Sequence, residues 1–581
     1  MFLYGLPGDI LVYIRGFWLI NHGLLEFLFP NQIVFVYFLK LPTLLLGEIY
    51  GLNLALFLMF VLGFVSFYFL VAKKVCKSAA VPAAISYTTS TFFLWHAMQN
   101  PEIILAASLL PSYFWSLLNL EEAIRVRSAR RSFAQSSLSA ILFALVFLSS
   151  FYIGYFLIIF TVGFFVFERF RTWKVEGVPI FERKVVLAYL SLSFGVFLLT
   201  LPATLSLFPA NNQGGEPSQL ESLREGLSRN TLSDLVAYSA RPWDYLLPSI
   251  YHPVFGNLVR NFYGHLRNNF SYQFWSTSLP ERANFLTVTS IWLAIYAVFR
   301  MAKNRVLPPE KKLILSLVWL TVLMFLISLP AIATFRGWVI PLPSYFLFKV
   351  FPMFRVYARA GVFVLLSVSI LAGYGLKFLL SNIRNDWFFI KLGIISLPGR
   401  KSVVLTTVLC GLILFENLNF PPFSVMDVKH VPQVYAWLKN QPEDLVIAEY
   451  PMDNSVVDIG GGCPSWLDSK ITRDYNGAYT AFYQTLHHKK TFAIERLSKE
   501  ERMTMGDLAL VDSYQVLKKY GVNYVLAHTK DPMIGIHPWP YPQENPLDEC
   551  WQRRIMKKPE KVYEGFKKVA EFDDGVVYRV N

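Results

Sequence analysis

Long uninterrupted runs of apolar residues leave this chain few folds to choose from. Stretches of roughly the length a helix needs to cross a hydrocarbon core fall at about 51–72, 79–97, 103–120, 133–149, 151–168, 185–208, 284–301, 311–330, 359–380 and 402–419. None shows the inside/outside alternation of a barrel strand, so the spanning element is the α-helix, which satisfies its own backbone in lipid. Charged residues make up only 16% of the 581, against about 25% in soluble domains, and the soluble enzyme classes are excluded. The sequence predicts an α-helical polytopic membrane protein of about ten transmembrane helices.

A net charge of +14 does not point to nucleic acid, because the cations sit in connectors between apolar segments. Lys73, Lys74 and Lys77; Arg125, Arg127, Arg130 and Arg131; Arg169, Arg171 and Lys174; Lys303, Arg305, Lys311 and Lys312; and Arg384, Lys391, Arg400 and Lys401 occupy every second connector. The positive-inside rule makes these connectors cytoplasmic and puts both termini outside the cytoplasm, in a multi-pass protein of the cell membrane.

The expected organisation is an extracytoplasmic loop with amphipathic or re-entrant helices over 1–50, a first half-bundle over 51–208, a long extracytoplasmic loop over 209–283, a second half-bundle over 284–420, and an extracytoplasmic α/β domain over 421–581. Val34 to Leu46, interrupted by Pro42, and Trp338 to Phe354, interrupted by Pro341, Pro343 and Pro352, read as interfacial or re-entrant pieces. In the tail, VPQVYAWLKNQPEDLVIAEYP reads as helix then strand, SYQVLKKYGVNYVLAHT as helix, glycine turn and strand, and VVYRV as a last strand.

No P-loop, GxGxxG, HExxH, GxSxG or kinase signature occurs, so no nucleotide cofactor is expected. The polar groups of the outer face remain. Asp9, in GLPGD, reads either as a helix cap or as a carboxylate that binds a divalent metal ion or acts as base toward an acceptor hydroxyl. In HAMQNPE, Glu102 reads as a second acid or as a favourable charge at a helix N-terminus, and His96 as a donor to an anionic head group. Arg355 and Arg359, four apart in FPMFRVYARAG at the start of a span, would share a helix face as a phosphate clamp or snorkel to the interface. His252 in PSIYHPVFG and the basic YQTLHHKK of 483–490 are loop or turn residues by default and sugar contacts on the sharper reading.

The acid after GLPG, the short outer hairpins, the long Pro-rich outer loop and the tail motifs VPQVYAWLKNQPEDLVIAEYP, YQTLHHKK and YGVNYVLAH together resemble integral-membrane, polytopic glycosyltransferases of the GT-C superfamily. The resemblance covers essentially the whole chain. It implies sugar transfer from a polyprenyl-phosphate or polyprenyl-diphosphate donor to an unidentified acceptor on the extracytoplasmic face, with membrane lipids as the other partner. It further implies catalytic roles for Asp9 and Glu102, lipid-phosphate binding by Arg355 or Arg359, and a divalent metal, if used, at Asp9. The superfamily places a transmembrane helix before its acidic loop, whereas eight residues precede Asp9, so either the recorded start is internal and a span has been lost, or the protein lacks the usual first helix. The alternatives are a non-catalytic protein that binds or moves lipid-linked glycans, with the tail as recognition module, or a transporter.

Overall fold

The computed structural model describes residues 5–6, 33–126, 128–177, 179, 182–205, 232–269, 281–303, 306–335, 338–383, 400–419, 425–427, 431–442, 444–450, 480–492, 501, 508–529, 533–534 and 562–580. Asp9 lies outside them. The chain divides into two compact units, one formed by residues 29–37 and 55–420, the other by 1–28, 38–54 and 421–581.

The first unit is helical. In chain order it contains α1 (Ile33–Lys74, shared with the second unit), α2 (Lys77–Thr88), α3 (Thr91–Gln99), α4 (Pro101–Arg125), α5 (Ala129–Ser149), α6 (Phe151–Glu176) and α7 (Arg183–Leu205). After these come α8 (Leu232–Ala237), α9 (Gly256–Asn269), α10 (Val288–Ala302), α11 (Pro308–Ser328), α12 (Pro343–Val350), α13 (Gly361–Ile383) and α14 (Arg400–Glu416). Among the described residues seven segments are long and apolar enough to cross a membrane: Ile49–Lys74, Pro101–Arg125, Ala129–Ser149, Phe151–Val175, Arg183–Pro202, Pro308–Ser328 and Tyr357–Asn382.

The other three expected spans differ for local reasons. Residues 79–97 break into α2 and α3 because polar side chains end one helix and start the next: Thr88 and Thr89 donate back to Ala84 and Ile85 carbonyls, and Ser90 accepts from the Phe93 amide as an N-cap. The segment at 284–301 is a helix of only 15 residues, and among the described residues the segment at 402–419 is a helix of 17. The piece around Pro42 is helical and joins the first long span through a kink at Gly47, whose φ of 77° an L side chain rarely adopts. Trp338 to Phe354 forms no single helix: β2 (Ile332–Phe335) and β3 (Trp338–Pro341) make an antiparallel hairpin, and Pro343 then opens α12 as its first-turn proline.

Helix α13 runs through the centre, buried along nearly its whole length. Small residues let its neighbours approach: a Cβ added at Gly375 would stand 1.9 Å from the Leu293 carbonyl oxygen of α10. Hydroxyls tie the helices together where water cannot, with Ser86 bonded to Ser290 of α10 at 2.7 Å and Ser108 donating to the Met59 carbonyl at 2.8 Å. One end of the bundle carries a basic network in which Arg125, Arg171 and Lys312 surround Glu168, and Arg169 pairs with Glu121.

The second unit holds a five-stranded sheet in the order β6 (Lys490–Thr491), β5 (Val446–Tyr450), β7 (Tyr524–His528), β10 (Gly575–Val580), β9 (Phe566–Phe572). Strands β6, β5 and β7 are parallel, and β10 and β9 run antiparallel. Helices α15 (Gln433–Lys439), α16 (Thr480–His487) and α17 (Val511–Lys519) accompany it, and Gly521, at φ 71°, makes the turn from α17 to β7. Strands β1 (Gly5–Leu6), β4 (Val425–Asp427) and β8 (Met533–Ile534) form a second small sheet. Ala448, Leu517, Val525, Ala527, Val576 and Tyr578 share one core, so the tail is the α/β fold its alternation predicts.

Candidate functional site

At the end of the helical unit opposite the basic network, four polar side chains meet in the interior. Arg359 leaves the short 3-10 turn Tyr357–Ala360 that precedes α13 and meets Glu281 with two parallel hydrogen bonds, Nε to Oε2 at 2.8 Å and Nη2 to Oε1 at 2.5 Å. This is the fork geometry that matches guanidinium to carboxylate. His96, in the last turn of α3, lies with Nδ1 2.9 Å from the Phe92 carbonyl and Nε2 3.4 Å from Glu281 Oε2. Glu102, in the first turn of α4, is buried and acts electrostatically on Arg359. The ring of Tyr152, at the start of α6, lies 4.6 Å from the Arg359 guanidinium carbon.

A second ion pair holds the acid in place. Arg282 donates to both oxygens of Asp244 at 2.8 Å, and Asp244 also accepts from the Arg241 amide and the Tyr263 hydroxyl. The connector between α7 and α10 is thereby tied to itself through residues 241, 244, 263 and 282, which holds the backbone of the adjacent Glu281. Asn284 completes the attachment by donating to the Ala358 carbonyl at 3.1 Å, and Gly361 is needed beside it because a Cβ there would sit 2.0 Å from Asn284 Oδ1. Burial by itself would raise the Glu281 carboxyl, but the charge and hydrogen bonds of Arg359, with a contribution from His96, hold it well below the usual carboxylate range.

The cluster can hold charge and a proton. If Nδ1 donates to Phe92, the Nε2 lone pair faces Glu281, and a proton added there would make a second ion pair to the same carboxylate. No group of three His, Cys, Asp or Glu side chains among the described residues is arranged to hold a metal ion.

Of the residues singled out in the sequence, His96, Glu102 and Arg359 come together here, and Asp9 falls outside the described residues. Arg355 does not share a helix face with Arg359. It lies in non-helical chain ahead of the 3-10 turn, half-buried, with its guanidinium carbon 5.2 Å from the Tyr238 ring. Pro352 and the turn around it delay helix formation, which removes the four-residue facing that a helix would impose. His252 stands apart: its Nδ1 accepts from the Val254 and Phe255 amides, and its Nε2 is 2.9 Å from the Phe415 carbonyl, so both ring nitrogens serve the backbone. Glu281 was not foreseen. The signal that could have found it is an acid and an arginine side by side in SLPERANF, at the edge of an apolar segment, where unpaired charge is costly.

No protein-family profile and no curated protein matches the sequence. Solved structures do. Arabinofuranosyltransferase AftD from Mycobacteria is similar at a TM-score of 0.51 and 13% identity, over 99% of this chain and 38% of that one. Archaeal oligosaccharyltransferase AglB from Archaeoglobus fulgidus, in complex with an inhibitory peptide and a dolichol-phosphate, gives 0.49 at 14% identity, over 90% and 66% of the two chains. ArnT from Cupriavidus metallidurans, bound to undecaprenyl phosphate, gives 0.45 at 12% identity, over 100% and 94%. The chain thus spans less than two thirds of AftD and just under two thirds of AglB. It is an integral membrane protein whose fold is similar to that of AftD.

Proposed function

We propose that the protein transfers a sugar from a polyprenyl-phosphate-linked donor to an acceptor on the extracytoplasmic face. The observation that supports this reading is the buried His96, Glu102, Glu281 and Arg359 cluster in a fold shared with AftD. Ionised side chains inside a membrane bundle are expensive and are kept where they act. The cluster lies at the bundle end away from the basic connectors, so the positive-inside rule assigns it to the extracytoplasmic side.

In this reading Asp9 orients the acceptor nucleophile or takes its proton, and a divalent ion, if one is used, binds there. Arg359, engaged bidentately by Glu281, serves as the positive floor of the site. Among the described residues no carboxylate grips Arg355 in this way, and it is the cation assigned to the lipid phosphate, whose developing negative charge it stabilises as the sugar departs.

The test is sugar transfer by the protein reconstituted in liposomes with a panel of polyprenyl-linked sugars. Asp9→Asn should lose about 10² to 10⁴ in rate with folding unchanged, the range typical of acid-base groups. Arg355→Ala should raise the KM for the donor. Transfer from no donor by the wild type, with lipid-linked glycan still bound, would favour a carrier-binding protein.

A further inference from the structure

YQTLHHKK, a basic surface turn by default, is largely an interior segment. Tyr483, Gln484, His487 and Lys489 are all buried, with His487 at 2% exposure. The Tyr435 ring stacks on Tyr483 at 4.6 Å and on His487 at 5.8 Å, both 12° from parallel. The Tyr435 hydroxyl donates to Glu449 Oε2 at 2.6 Å, and His528 Nε2 lies 2.6 Å from the same oxygen.

The location of this cluster in the sheet is the informative part. Glu449 is the fourth of five residues in β5 and His528 the last of β7, two neighbouring parallel strands. The next strand after β5 pairs on its far side, as β6, whereas β7 pairs on its other side with β10. The carboxyl ends of neighbouring parallel strands are where open α/β sheets bind ligands.

The chemistry at these strand ends is specific. His487 Nδ1 accepts from the Lys489 amide at 3.0 Å, so the neutral ring carries its proton on Nε2. Burial, reinforced by the Lys489 and His488 charges and opposed by Glu449, pulls this imidazole down to about 4, which keeps it neutral at physiological pH. Neither that Nε2–H nor Glu449 Oε1 has a hydrogen-bond partner among the described residues, although both are buried. A buried donor and a buried acceptor without partners are costly. A hydroxyl group, which both donates and accepts, satisfies the two together. Phosphate would meet the Glu449 carboxylate, and no trio of metal-ligating side chains is present among the described residues.

We propose that the carboxyl ends of β5 and β7 form a sugar-binding site, in which Glu449 and His487 share one hydroxyl and the Tyr435, Tyr483 and His487 rings supply an apolar wall. The assignment rests on the second unit alone and does not depend on sugar transfer by the first.

The test uses the full chain in nanodiscs and methyl glycosides of mannose, glucose, galactose and arabinofuranose as probes. Hydrogen exchange on the wild type should show at least one glycoside protecting the amides of 446–450 and 480–491. Glu449→Gln, and independently His487→Phe, which keeps the ring stack and removes the donor, should weaken that glycoside about tenfold or more. Protection by none of the four overturns the proposal. So does undiminished binding by both variants. A higher melting temperature for Glu449→Gln with no glycoside effect marks a purely structural cluster and also overturns it. Because the readout is binding to the tail, a protein that transfers no sugar can still pass the test.

Discussion

The Glu281 and Arg359 pair shows how two residues 78 apart in sequence become one unit. Each would be costly alone at this burial, and together they neutralise one another in a fork that also fixes the approach to α13. Glu281→Gln is therefore expected to destabilise the protein by about 3–5 kcal/mol, because it strands a buried arginine. Combining it with Arg359→Met should recover much of that loss, and thermal unfolding in nanodiscs measures both. The pH dependence has a definite sign. With the folded-state carboxyl below its ordinary 4.5, the pair's contribution is complete above that pH and declines as the solution is acidified further. At this scale the sequence was partly legible. His96, Glu102 and Arg359 stood out as polar groups beside apolar spans. Glu281 did not, since only the folded connector reveals that it faces Arg359. The Arg355 and Arg359 pairing failed because helical spacing holds only where there is a helix.

Among the elements, the long spans were read from hydropathy alone, with ends within about five residues of those of α4, α5, α11 and α13, while α6 runs on to Glu176, beyond the expected 168. The breaks were harder, because capping by Ser90 and the loop-like chain before Tyr357 depend on local hydrogen bonds that hydropathy does not register. Helix packing depends on position in the same way. Gly375→Ala forces a methyl against a backbone carbonyl and should cost about 1–3 kcal/mol. Gly411→Ala in α14, where nothing lies within 4 Å of the added Cβ, should be neutral or stabilise by up to about 1 kcal/mol. The two melting temperatures should move apart. In the tail, periodicity and the glycine turn announced the strands and helices correctly, while the burial of YQTLHHKK was hidden by its basic composition. His487, depressed to about 4 from 6.5, favours the folded state most above pH 6.5 and loses that contribution as pH falls toward 4. Acidification through this window should cost the tail roughly 3 kcal/mol, a loss that His487→Phe removes, as read from pH-dependent unfolding of wild type and variant.

At the scale of the whole molecule, the alternation of basic connectors predicts which face is outside. A cysteine introduced at Lys439 should react with an impermeant thiol reagent on intact cells, and one at Arg130 should react only after permeabilisation. A short helix carries another consequence. Helix α10, capped at both ends by Thr287 and Lys303, rises about 22 Å against a hydrocarbon core of roughly 30 Å. Near its start the Thr289 amide and hydroxyl donate to Glu416 of α14. A bilayer that follows α10 is expected to thin locally on that flank, which would let head groups and water approach the charged cluster without crossing the full hydrophobic depth. The protein should accordingly be most stable in lipids with short acyl chains, and its melting temperature should fall as the chains lengthen from fourteen to about twenty carbons. What looks like incomplete spanning would then be a dimple in the membrane.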